Sequence, residues 1–442
     1  MGLDLLQTPI DLKYFDKFLF FNSLPQCQGL ELFNSLWNFS KESDWRNENR
    51  KIEFSNSKEN IWFVRNDEGC NDYVYNDNLD SIKKVIPQDI VNQVNSSHVK
   101  LILSTDNEWE YNHFWEKVVK YCTSIGIQKE KINIFTSNYL SQNLKCKIFQ
   151  YTFSSIADIK FDCGLMWLDK YPNKFPYNDE YTDFLIQNNK TKKYICLNAH
   201  YNEHRHFVVY KLKEKNLDND GYLSFTLGQG MNFVEHPKDR MIEEWDRLLR
   251  NGNFDIKNYD LSISMLDNLP IFVKEFGLDN PKDFWKQEMK TQNKDYAKFN
   301  PRIRPWMIRD INMIEDSYFC IGVETQVQSD NGNFGNFSEK VMIGWITQPT
   351  ICISTPLIIE YLKSLGLKSF DMFFDESYDK IIDTDKRLVK VMNEVQRICS
   401  LKKLELDSMY KDSIEVVRFN QRKIFEFDIF QDYFKFLGEI CD

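Results

Sequence analysis

Short apolar runs bounded by polar turn residues recur along the whole chain, and several lead into segments whose apolar residues return every three or four positions. That pairing of periods predicts α/β layers rather than a helical bundle or a sandwich. In the first half, 99–103 (VKLIL) predicts a buried strand and 112–125 an amphipathic helix with Phe114, Trp115, Val118, Val119 and Cys122 on one side. Residues 132–135 predict the next strand, which completes a β-α-β unit. The runs at 52–54, 61–65 and 147–153 extend the same sheet.

A polar stretch, QNNKTKK at 187–193, precedes a second series, and the domain boundary is placed there: an α/β domain over 1–190 and a second over 191–442. Residues 194–197 predict a strand whose continuation turns into a helix running to about 214, and 222–227 predict another strand. Residues 232–301 read as an inserted helical segment. A clearer unit follows: strand 318–323, a Gly/Asn loop at 328–336, a helix over 338–347, Pro349 as breaker and strand 350–354. Pro356 then opens a helix with an apolar stripe over 357–365, closed by Gly366. Asp383 or Thr384 caps a helix ending near Cys399, and 401–437 read as mostly helical.

Composition narrows the class. With 442 residues and 42% of them apolar, the chain fills cores for two or three domains. Lys and Arg number 56 against 66 Asp and Glu, a net charge of −10, which disfavours a nucleic-acid partner. No run approaches the ~18 apolar residues of a membrane span, and MGLDLLQTPI lacks a basic start and an apolar signal core, so a cytoplasmic protein is expected (host cytoplasm if viral). The 10 cysteines include no C-x-x-C pair and read as reduced thiols of the core. His200, His204 and His206 lie close together without a thiol or carboxylate at matching spacing, so no metal site is expected.

The chain has no G-x-G-x-x-G, no G-x-x-x-x-G-K-[ST] and no G-x-S-x-G, so candidate chemistry rests on residues at the carboxyl ends of predicted strands. Ser338-Glu339-Lys340 opens a helix: Ser338 caps, the free N–H groups suit a diphosphate, Lys340 is unfavourable there without an anion, and Glu339 suits ribose hydroxyls. The same three residues also suit an ordinary capped helix. In NAHYNEHR at 198–205, Arg205 is the natural partner for a phosphate and Asn198 holds the loop; a turn with a surface ion pair is the plainer reading. Glu108, after strand 99–103, is the candidate general base, with Asp106 and Asn107 as plausible helix caps beside it. Glu324 follows strand 318–323 directly.

Taken in order, these blocks resemble the donor half of family 10 glycosyltransferases, the α-1,3/4-fucosyltransferase family. KKYICLNAHYNEHR at 192–205 is similar to its lysine-rich strand, S-N loop and following Arg, with Leu197 in place of the Ser. CIGVETQ at 320–326, then FSEK at 337–340 and the strand after Gln348, are similar to its F-E-N-S and T-E-K blocks. Residues 338–387 also look like glycosyltransferase-like proteins of large DNA viruses and phages. The resemblance implies a GT-B fold, with two Rossmann-like domains facing a cleft, an N-terminal domain for the acceptor, a C-terminal domain for a GDP- or UDP-sugar, and a C-terminal helix crossing back. It implies a metal-independent inverting transfer to a glycan or other hydroxyl acceptor. Arg205 and Lys340 would hold the diphosphate, Glu339 the ribose, Glu324 the donor sugar or ribose, and Glu108 the acceptor proton. Two alternatives stand beside it: sugar transfer to modified bases in viral DNA, for which Lys282–Arg309 supplies basic and aromatic residues, and a GT-B-shaped scaffold without turnover.

Overall fold

The computed structural model describes residues 18–21, 54–65, 86–104, 114–136, 146–150, 177–198, 201–225, 238–252, 254–267, 271, 311–324, 327, 339–426, 435, 437–439 and 441. It is an α/β protein built on two all-parallel sheets with helices, compatible with a Rossmann-like fold. The chain groups into two compact units, 1–172 with 329–339 and 424–442, and 173–328 with 340–423.

The first unit carries five parallel strands in chain order: β1 (Phe18–Phe21), β2 (Glu59–Arg65), β3 (Val99–Ser104), β4 (Ile132–Thr136) and β5 (Lys147–Gln150). Val99, Leu101, Ile102 and Leu103 are buried, as the continuous apolar run requires of a strand covered on both faces. Helix α1 (Gln88–Asn95) buries Ile90, Val91 and Val94. Helix α2 (Phe114–Ser124) buries Trp115, Val118, Val119 and Cys122 against the same core, the face read from the sequence. The strand expected over 52–54 does not reach Phe54: Ser55 Oγ accepts the Ser57 and Lys58 N–H groups, a local turn that competes with sheet pairing, and β2 begins at Glu59. Residues 52–53 and 151–153 lie outside the described residues.

In the second unit, α3 (Asp179–Gln187) is capped by Asn178, whose side chain accepts from Tyr181 N. It is tied to the rest of that unit by Tyr181, whose hydroxyl donates to Glu315 Oε1 at 3.0 Å. β6 (Lys192–Asn198) leads into α4 (Glu203–Glu214), β7 (Gly221–Phe225), α5 (Lys238–Arg250), α6 (Tyr259–Asp267) and α7 (Ile311–Glu315). β8 (Ser317–Val323), α8 (Glu339–Trp345), β9 (Thr350–Ile353), α9 (Ile358–Ser364), α10 (Thr384–Ser400) and α11 (Lys403–Glu426) complete it. Every residue of β8 and β9 is buried. Residues 204–212 of α4 are buried all round, because the helix lies between its sheet and helices α6 and α10. Gly366 sits at φ +82°, the left-handed conformation a helix terminus asks of it, and Asp383 caps α10 through Lys386 N. Within 232–301, α5 and α6 are the described helices. Cys122, Cys196, Cys320, Cys352 and Cys399 are buried. Among the described residues no helix is long and apolar enough to cross a membrane.

Candidate functional site

The strand order of the second sheet is β7-β6-β8-β9. From β6 the chain moves outward on one side to β7, and the next strand, β8, pairs on the other side of β6. The carboxyl ends of β6 and β8 therefore flank a topological switch point, the place where open parallel sheets leave a crevice for a ligand. In the first sheet the described strands follow one another without such a reversal.

The residues at that switch point are polar and buried. Asn198 ends β6; its Nδ2 donates to Cys196 Sγ at 3.4 Å, and its Oδ1 is buried without a hydrogen-bond partner. Glu324 follows β8 at 1% exposure, and its N–H donates to Ile353 O at 2.9 Å, carrying the β8–β9 ladder one residue past the strand. Arg205, in the first turn of α4, is also 1% exposed and reaches Val323 O from Nη2 at 3.4 Å. His204 beside it lies 2.9 Å from Glu324 O through Nε2. Two consecutive residues of α4 thus meet two consecutive carbonyls at the end of β8, which brings Asn198 and Arg205, from one stretch of sequence, together with Glu324 from another.

Charge is managed by burial. Desolvation, helped by the neighbouring Arg205 cation, pushes His204 down to about 3, so its ring is neutral at physiological pH. A carbonyl oxygen only accepts, so His204 carries its hydrogen on Nε2. Burial likewise takes His206 down to about 4; its Nε2 donates to Ser262 O at 2.9 Å, and its ring packs on Trp245 with centroids 4.2 Å apart. The two histidines turn to different neighbours, and among the described residues no group of three or more His, Cys, Asp or Glu side chains is gathered to hold a metal ion.

A second tier, not visible in the sequence, fixes the loops around these residues. Arg387 of α10 donates from Nε to Ser354 O at 3.1 Å, from Nη1 to Ile381 O at 2.6 Å and Ile382 O at 3.0 Å, and from Nη2 to Val327 O. It thereby joins the chain just past β9 to the chain just past β8. Asp379 Oδ2 accepts the Ile359 and Glu360 N–H groups at the start of α9, and Asp379 O accepts Leu357 N–H, where Leu357 turns through φ +66°. Burial pushes the Asp379 carboxyl up to about 7.

Of the remaining sequence-derived candidates, Glu108 and Ser338 lie outside the described residues, and the backbone of Glu339 and Lys340 forms the first turn of α8. Arg205 lies at the start of a helix after a strand, as the sequence reading placed it; the plainer alternative, a surface ion pair, does not hold, because α4 is enclosed between sheet and helices and buries the side chain. Compared with protein-family models, with curated proteins and with solved structures, the chain matches none.

Proposed function

We propose that the chain is an inverting glycosyltransferase of GT-B type, moving a sugar from a nucleoside-diphosphate sugar of the GDP or UDP class to the hydroxyl of a glycan or other acceptor. The observation that supports this is the switch point of the second sheet, where Asn198, Arg205 and Glu324 gather at the carboxyl ends of β6 and β8. Donor binding is assigned to residues 191–442 and acceptor binding to residues 1–190. In the transfer, the acceptor oxygen bonds to the anomeric carbon as the bond from that carbon to the diphosphate breaks, and Glu108 takes the acceptor proton. The charge left on the diphosphate is met by Arg205 and Lys340, while Glu339 holds the ribose and Glu324 the ribose or donor sugar. A single displacement inverts the anomeric carbon.

The test is a thermal-shift panel with GDP, UDP, dTDP, ADP and CMP, with and without magnesium. A ligand held only by the native state at about 100 times its Kd adds ~2.7 kcal/mol. For a chain of 442 residues that is a rise of about 3 °C. A shift with one diphosphate, indifferent to magnesium, supports the reading and names the donor class. The burial of Arg205 favours a second reading, a scaffold of this fold without turnover, and no shift with any of the five nucleotides makes that the better account.

A further inference from the structure

The link between α3 and β6 is fastened to the last turn of α7 by four successive bonds. Asn188 Nδ2 donates to Glu315 O at 2.8 Å and Lys190 Nζ to the same oxygen at 2.9 Å; Thr191 N donates to Asp316 Oδ1 at 2.8 Å and Lys192 N to Asp316 O at 3.0 Å. Lys190 is the unusual member. It is 6% exposed, and among the described residues no carboxylate forms an ion pair with it. The carboxylates of that region are engaged elsewhere: Glu315 accepts from the Tyr181 hydroxyl, Asp316 from Thr191 and Tyr222, and Asp407 from Tyr318 and Lys403. Apart from the carbonyl, Lys190 Nζ faces the ring of Tyr410, 4.2 Å from its centroid, with the Tyr318 ring at 6.0 Å. One carbonyl and one ring face accommodate the two N–H groups of a neutral amine; an ammonium brings a third hydrogen and a charge, and loses more hydration than these neighbours replace.

We infer that Lys190 is a proton-operated latch: as a neutral amine it holds the 188–191 link against α7 and α11, and on taking up a proton it releases that link to water. Burial, with the Lys403 cation adding to it, pushes Lys190 down to about 7, against about 10.5 for an exposed lysine. The released link therefore binds the proton more tightly than the closed one. Opening grows as pH falls from about 10 towards 7, by at most tenfold per unit, and levels off below 7. The groups that face the amine are Tyr181 of α3, Glu315 and Asp316 at the end of α7, Tyr318 of β8, and Lys403, Asp407 and Tyr410 of α11. Burial raises the three phenols above their ordinary range, so none of them titrates in this window. The latch sits at the amino end of β6, the strand that carries Asn198 at its other end, and so makes the start of that strand responsive to protons.

The experiment measures hydrogen exchange of the full chain by mass spectrometry at pH 7 and pH 9, each rate divided by that of the same amides in the unfolded chain. In a peptide covering the bonded amides of Asn188, Thr191 and Lys192, wild-type protection is expected to be about 50-fold lower at pH 7 than at pH 9. Lys190→Met, of similar length and without a titrating amine, is expected to hold protection at the two pH values to within about threefold; Lys190→Leu replaces it should that variant not fold. Wild-type protection that stays within threefold overturns the inference without any variant. A fall that persists in the Met variant overturns it too, because another group then takes up the proton. A peptide within α10 serves as the reference: protection there that falls in step with 188–192 shows loosening of the whole unit and not a latch, which likewise overturns the inference.

Discussion

Arg387 offers the sharpest test of how the candidate site is held. Replacing it with Leu leaves a side chain that still fills the apolar part of its volume, while the carbonyls of Ser354, Ile381, Ile382 and Val327 lose the guanidinium, Val327 O keeping only a 3.4 Å bond from Thr384 Oγ1. Arg387 is 3% exposed, so at its buried bonds, to Ser354 O and Val327 O, water does not simply take its place. A hydrogen bond from a charged group is worth about 1.5–3 kcal/mol when buried; the bonds to Ser354 O and Val327 O are buried and those to Ile381 O and Ile382 O only partly so, and the loss together comes to about 3–4 kcal/mol. At 1.36 kcal/mol per factor of ten, hydrogen exchange of residues 350–353 should accelerate about 10²–10³-fold. Exchange read by mass spectrometry localises the loss to β9, which a global melting curve of a two-unit chain does not. Arg387→Lys, which keeps the charge but not the planar fork, should recover less than half of the loss. Exchange at 350–353 within a factor of two of wild type in the Leu variant would refute the view that this guanidinium binds the loops past β8 and β9 together.

Three other outcomes are expected. A Cβ at Gly221 would lie 2.4 Å from two ring carbons of the buried Tyr194, whose hydroxyl donates to Leu217 O; Gly221→Ala should cost about 1–3 kcal/mol by urea midpoint and be relieved by adding Tyr194→Leu, and an unchanged midpoint would show that the ring has room to retreat. Because the folded protein holds the Asp379 proton up to about pH 7 and the unfolded chain releases it near 3.8, the native state binds more protons between those values and stability falls as pH rises through them. Asp379→Asn should flatten that fall by about 2–4 kcal/mol between pH 4.5 and 8, and parallel pH curves for the two proteins would contradict it. Lys340→Ala should weaken binding of the nucleoside diphosphate by about 1.5–3 kcal/mol in calorimetry, and normal affinity would show that the diphosphate is held elsewhere.

The parts legible in the sequence are those fixed by contiguous residues. The runs that became β3, β8 and β9 announce buried parallel strands because both faces must be apolar, and the stripe of α2 shows at helical spacing. β1 was missed: FLFF is four residues without alternation or an adjoining helical pattern, too short to tell from any apolar cluster. In the site, Asn198 and Glu324 were legible as residues at strand ends and Arg205 as one at the helix start that follows. Their convergence was not, since it depends on β6 choosing β8 as its second neighbour. His204 and Arg387 were illegible in their roles for a related reason. Each bonds to backbone carbonyls far along the chain, and a carbonyl leaves no mark in the choice of side chain.

The strand order also bears on how the protein comes off the ribosome. In the first unit each described strand pairs with the next described one to be made, so its sheet can grow as the chain emerges. In the second, β6 waits for β8, whose first residue comes about 120 residues after Asn198, or roughly 6–25 s at translation rates of ~5–20 residues per second. Through that interval one edge of Tyr194–Leu197 has no native partner, which makes the nascent second unit the segment on which chaperone capture, or aggregation in its absence, should concentrate.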